Sequence, residues 1–279
     1  MLLSPKLPYK MSAPRYPELP AFVPPLLPGP GETAVPPLRG PWGFWPTAGW
    51  GTIIGCAYLG VQILVTIVSV IAYGVLHHGQ SLRSAGAAIA VNGSVVSMAA
   101  ILTVPVVVGL CLLFARLRNG PKLGDYLGLR WPTAGAFVGW CLALVVLIVA
   151  SDCLSVALGR PLVPEVMAEI YRNTAFKPSI WVAMVLAAPL AEEFFFRGFL
   201  FQGWSQSPLG GPGTVWLTAA LWAMMHLQYD AYGMATVFIG GLLVGSARLK
   251  SGSMLLCVVM HAMMNLVATL EMVIFLAAD

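Results

Sequence analysis

Seven apolar runs, at about 49–75, 87–115, 132–156, 180–202, 213–226, 232–248 and 252–276, follow one another along the chain with short polar breaks between them. An α-helix rises 1.5 Å per residue, so about 20 apolar residues are needed to cross a hydrocarbon core of about 30 Å. Most of the runs have that length. The pattern predicts an all-α, polytopic transmembrane helix bundle of about seven spans, within a range of six to eight. Two runs are irregular. The fifth, TVWLTAALWAMMH, is short for a crossing and suits a tilted or buried helix, while the second is long enough to hold an interfacial piece ahead of Val91.

Between residues 157 and 179 the pattern changes. PEVMAEIYRN places Pro164 at a possible first helical position and Glu165 in the first turn, with apolar Val166, Ile170 and Tyr171 recurring at helical spacing, which predicts a short amphipathic helix on the surface. In the sixth run, Gly241 and Gly245 are four apart with Gly240 adjoining, a spacing that lets two helix backbones approach closely.

Composition agrees with a membrane protein: of 279 residues 58% are hydrophobic and 9% charged, and the mean hydropathy is +0.83. The net charge of +4 is spread between apolar runs with no basic face, which argues against a nucleic-acid partner. It is informative about topology instead. With the amino terminus inside, ten basic residues fall on that side (Lys6, Lys10, Arg15, Arg39, Arg116, Arg118, Lys122, Arg130, Arg248 and Lys250) and four on the other (Arg83, Arg160, Arg172 and Lys177). A cytoplasmic amino terminus is therefore expected. The first 47 residues hold 13 of the 22 prolines and predict a flexible, Pro-rich leader, leaving 48–279 as the transmembrane domain. The leader lacks the compact apolar run and small-residue cleavage site of a secretory signal, so its retention is expected. Five cysteines, widely separated and without metal-finger spacing, read as small buried hydrophobes.

Against this background the stretch AEEFFFRG, residues 191–198, stands out, because a charge at mid-bilayer costs at least roughly 2.5 kcal/mol. On a helix Glu193 and Arg197 are i,i+4 and can pair, whereas Glu192 is turned about 100° away and must seek its partner elsewhere. His77 and His78 fall in a polar turn. His226, at the end of LWAMMH, and His261, one helical turn before Asn265, lie in apolar helices where an unpartnered polar group is costly. Carboxylate, two imidazoles, an amide and a supporting ion pair are the groups that water activation and oxyanion stabilisation require. They are expected to line one polar cavity. Glu192, His226 and His261 would also make a two-imidazole, one-carboxylate zinc set, but HExxH, which preassembles such a site on one helix, is absent. Metal-free glutamate chemistry is the preferred reading and zinc the alternative.

The order Glu192-Glu193-x-x-x-Arg197, then Trp222-x-x-x-His226, then His261-x-x-x-Asn265 on successive apolar helices resembles the CAAX protease and bacteriocin-processing family of intramembrane proteases, also called the Abi family, over about 180–270. The resemblance implies that Glu192 and His226 activate water, that His261 and Asn265 face the carbonyl oxygen, and that Glu193 and Arg197 support the helix. Trp222 departs from the phenylalanine usual at the head of the second motif. A peptide or protein substrate, CAAX-type and prenylated or bacteriocin-related, and a place in a bacterial cell membrane among lipid follow from the same resemblance. Two other classes share these features: a non-catalytic immunity or scaffold protein of the same fold, and a transporter, which should show internal repeats or broken helices.

Overall fold

A computed structural model describes residues 40–77, 81–118, 120 and 122–278. The leader predicted for the first 47 residues lies almost wholly outside them, as does His78. Where the described chain begins, Trp42 already packs, its indole N–H donating to the Phe114 carbonyl at 2.9 Å, and the first helix starts at Phe44, inside the stretch grouped with the leader.

The described residues form helices α1 (Phe44–Leu76), α2 (Leu82–Ala90), α3 (Gly93–Leu117), α4 (Leu123–Leu127), α5 (Ala134–Ala157), α6 (Glu165–Arg172), α7 (Lys177–Ser205), α8 (Gly210–Met224), α9 (Ala231–Ser251) and α10 (Met254–Ala278). Six of them, α1, α3, α5, α7, α9 and α10, are long and apolar enough to cross a membrane. This all-α, integral membrane bundle sits at the lower edge of the expected span count for one reason: the short fifth run folds as α8, whose 15 residues rise only about 22 Å. The long second run divides as its sequence indicated. Helix α2 ends at Ala90 with Val91 as its C-cap, and Asn92 caps α3, its side chain accepting from the Ser94 and Val95 amides. The amphipathic segment is α6, with Pro164 immediately ahead of it, Ala168 and Ile170 buried, and Arg172 paired to Glu165 at 2.8 Å.

The spans are not equivalent. In α1 and α5 only 6% of the apolar window is buried, so these helices turn most of their surface outward, whereas half of the α7 window is buried against α3, α10 and α1. Two of the five cysteines correct the expectation of uniform burial, since Cys56 on α1 and Cys153 on α5 sit on those outward faces. The helices α8 and α9 form an antiparallel hairpin that depends on the glycines identified in the sequence. A Cβ at Gly241 would stand 3.0 Å from both Ala219 Cβ and Trp222 Cε3, and one at Gly245 would stand 3.1 Å from Val215.

Helix α7 is also not a plain α-helix. Its backbone widens into π-helical turns at Val182–Ala187 and again at Phe194–Leu200, on either side of an α-helical piece, Ala188–Glu193, that carries the two glutamates. Such turns cluster at functional sites.

Candidate active site

The two glutamates end the α-helical piece of α7 and face different neighbours. Glu193 is fully buried, as is Arg197, and the i,i+4 pair forms as the spacing required: Arg197 Nη1 donates to Glu193 Oε1 at 3.0 Å. The guanidinium is held further by the Gly241 carbonyl at 3.3 Å and lies over the Trp222 ring, 4.9 Å from its centroid. Glycine 241 therefore serves α7 as well as the α8–α9 hairpin, because the close approach that brings its backbone near α8 also exposes its carbonyl to Arg197.

Glu192 finds its partner 30 residues away. The indole N–H of Trp222 donates to Glu192 Oε2 at 2.5 Å, inside a setting where both side chains are at least nine-tenths buried. The residue that marks a departure from the family pattern is thus in direct contact with Glu192, through the N–H that a phenylalanine would lack. Trp222 also meets both histidines edge to face, with centroid separations of 5.3 Å to His226 and 5.0 Å to His261. His226 does not lie in a spanning helix as expected: α8 stops at Met224 and is too short to cross, and His226 sits half-buried two residues past its end, its Nδ1 2.8 Å from the Trp222 carbonyl. A carbonyl can only accept, so Nδ1 carries the proton and Nε2 of the neutral ring keeps its lone pair.

His261 connects the two carboxylates. Its Nδ1 lies 2.8 Å from Glu193 Oε1, and its Nε2 lies 4.0 Å from Glu192 Oε2. Glu193 consequently does more than pair with Arg197, for it also fixes the orientation of an imidazole from α10. No local spacing encodes this second bond, since only the fold brings residue 193 to residue 261. Asn265 points elsewhere. Its amide nitrogen donates to the Met184 carbonyl at 2.7 Å, within the first π-helical segment, and it lines a cavity of about 80 Å³ shared with Met184, Tyr229 and Thr269.

Glu193, Arg197 and His261 thus form one bonded set and Glu192 and Trp222 another, the two meeting where the Trp222 ring lies against Arg197 and His261; His226 joins through the Trp222 ring and backbone, and Asn265 is tied to the first π-helical segment of α7. Tyr229 stacks on His226, lines the Asn265 cavity, and also lines a larger cavity of about 470 Å³ with Arg160 and Asp230. Burial raises the Tyr229 hydroxyl above the ordinary tyrosine value. Asp230 caps α9, and its carboxyl is held below the usual aspartate value, first by the Gly233 amide and, against the opposing effect of desolvation, by its ion pair with Arg160.

Sequence reasoning missed Arg248. Counted there as a loop charge, it is 5% exposed and donates its Nε to the Arg197 carbonyl at 2.8 Å. As to metal, no group of three His, Cys, Asp or Glu side chains among the described residues converges as a ligand set, so Glu192, His226 and His261 do not form a zinc site in this arrangement.

Comparison with known proteins places the cluster in context. Residues 174–267 match the model of the Rce1-like family, described as type II CAAX prenyl endopeptidase Rce1-like, and this stretch holds all three motifs. The family resemblance read from those motifs is borne out over that segment. The chain is 30% identical over 126 residues to an Escherichia coli protein described as an uncharacterized 24.3 kDa protein, a stretch covering 43% of this chain and 56% of that relative. No solved structure matches.

Proposed function

We propose that this protein is an intramembrane endopeptidase of the CAAX-protease type that hydrolyses a peptide bond with water activated by Glu192, without a catalytic metal. The observation that carries the reading is the juxtaposition of Glu192 and His261, whose Oε2 and Nε2 are 4.0 Å apart. That gap is too long for a direct hydrogen bond and wide enough for one oxygen to approach both atoms. In the proposed step Glu192 takes a proton from the attacking water while the Nε2 lone pair of His226 orients it. The oxygen adds to the scissile carbonyl, and the negative charge that develops is met by an Nε2–H of His261, which can donate there only as the imidazolium that the Glu193 carboxylate at Nδ1 favours, while Asn265, held on the Met184 carbonyl, ties α10 to α7 beside this step. Breakdown returns the proton from Glu192 to the leaving amine. The Trp222 N–H keeps the Glu192 carboxylate in one rotamer. A peptide or protein substrate reaching the cluster from the membrane, prenylated or otherwise, and an amino terminus on the cytoplasmic side complete the proposal.

Glu192→Gln preserves shape and hydrogen-bonding capacity and removes the base. The purified variant should stay folded and lose turnover by at least about 10²-fold on a substrate that the wild-type protein cleaves, such as a prenylated CAAX-type peptide. Wild-type activity should persist after exhaustive chelation with zinc followed by elemental analysis. Activity that leaves with zinc and returns with it would replace this mechanism by a metal-dependent one, and a fully active Glu192→Gln protein would support the non-catalytic scaffold reading.

A further inference from the structure

At the end of the bundle where α7 and α9 finish and α10 begins, a cavity of about 400 Å³ opens with two arginines in its wall, Arg130 and Arg248. Each spends its Nε on a backbone carbonyl. Arg130 donates to Gly252 at 3.0 Å and Arg248 to Arg197 at 2.8 Å, and these bonds fix the direction of both guanidinium forks. The terminal nitrogens of both have no acceptor among the described residues. Arg130 is on the surface, and Arg248, although only 5% exposed as a residue, has no fully buried unpaired nitrogen, so its guanidinium end, like that of Arg130, is open to the cavity.

The backbone is shaped around these two groups. Gly128 and Gly252 both adopt left-handed conformations, with φ of 71° and 67°. A Cβ on Gly128 would fall 2.6 Å from Arg248 Nη2, and one on Gly252 would fall 1.7 Å from Arg130 Nη2. The turns are linked to each other by the Met254 amide, which donates to the Gly128 carbonyl at 2.9 Å. Two guanidiniums are therefore seated side by side on one pair of glycine turns. Gln202 and Gln206, four residues apart at the end of α7, add side-chain amides to the same wall, and Asp125 supplies the single carboxylate.

We infer that this cavity binds a phosphodiester anion, supplied by a phospholipid headgroup. Two guanidiniums less one carboxylate leave a single positive charge, which matches the single negative charge of a phosphodiester. Arginine forks suit phosphate oxygens through paired N–H donors. The position suits a lipid, since the cavity lies where membrane-spanning helices end and has Phe201 and Leu249 in its wall. The inference is independent of the peptidase reading.

Native mass spectrometry of the full chain in a neutral detergent, titrated at constant ionic strength, tests it with three probes: short-chain phosphatidylglycerol, diacylglycerol of the same chains, and inorganic phosphate. Phosphatidylglycerol should bind at least about tenfold more tightly than diacylglycerol. Arg130→Gln should abolish that preference, and Gln206→Glu, which brings the wall to neutrality from an exposed position, should do the same with Arg130 in place. Displacement of phosphatidylglycerol by millimolar inorganic phosphate would support the phosphate chemistry and add a soluble source to the lipid one. Equal binding of the two lipids by the wild-type protein, or unchanged preference in both variants, overturns the inference.

Discussion

Helices α1 and α7 are both long, apolar and able to cross a membrane, yet they solve opposite problems. On α1 the outward residues Leu59, Ile63, Ile67 and Ile71 are about half exposed and repeat at helical spacing, and only 6% of the window is buried. On α7 half the window is buried, and the buried set includes Glu192, Glu193 and Arg197. A lipid-facing helix needs only apolar bulk, because acyl chains are as apolar as leucine. A helix surrounded by other helices is shielded from lipid, so it is the one that can carry charge when each charge has a partner. Polarity within a span thus marks the inside of the bundle.

The sharpest way to break this contrast is Arg197→Met. It leaves Glu193 buried with only His261 as a partner, and breaking a buried pair costs about 3 to 5 kcal/mol. Folded yield and thermal stability in detergent should collapse, while Ile63→Val on the outward face of α1 should stay within about 0.5 kcal/mol of the parent. Comparable stability of the two variants would show that α7 has no special debt to its ion pair. Next in size is Trp222→Phe, which keeps the ring against Gly241 and removes the donor to Glu192. A hydrogen bond to a charged group is worth about 1.5 to 3 kcal/mol, so kcat should fall roughly tenfold or more with KM and folded yield retained. An unchanged kcat would mean that Glu192 is positioned without the indole.

The smallest effect belongs to a charge that lies outside any span. Asp230 has its carboxyl lowered by the Gly233 amide and Arg160, so the stability it contributes is complete above the unfolded aspartate value and disappears as pH falls through the lower folded value. Between pH 6 and pH 3 the melting temperature of Asp230→Asn should decline less than that of the parent, by a small margin appropriate to a solvent-exposed group. Identical declines would remove Asp230 from the acid response.

The sequence made the inner helix legible in part. Local spacing sufficed for the Glu193–Arg197 pair and for α6, because each is settled within one or two turns, and the length of the second run sufficed for a break near Val91. The membrane class and the family motifs were equally visible. Three features were not. The Trp222 bond to Glu192 and the His261 bond to Glu193 join residues 30 and 68 positions apart, and no periodicity encodes which of two adjacent carboxylates an imidazole will choose. Arg248 looked like a loop cation because it ends an apolar run beside Lys250, whereas the glycine turn at 128 brings a backbone pocket over it. The widened turns of α7 left no trace, since FFFRGFL is compatible with α and π geometry alike.

Those widened turns have a consequence for how α7 can change in length. A π-turn holds one residue more than the α-turn it replaces, so each wide segment is equivalent to a single-residue insertion absorbed within the helix. Loss of one residue from Val182–Ala187 would tighten that turn to α geometry and leave Glu192, Glu193 and Arg197 in phase with the chain ahead of them. The same loss in the middle of α5, which has no such surplus, would rotate everything beyond it by about 100°. The helix that bears the charged cluster is therefore the one in which a deletion can be accommodated without turning the remaining side chains away from their partners.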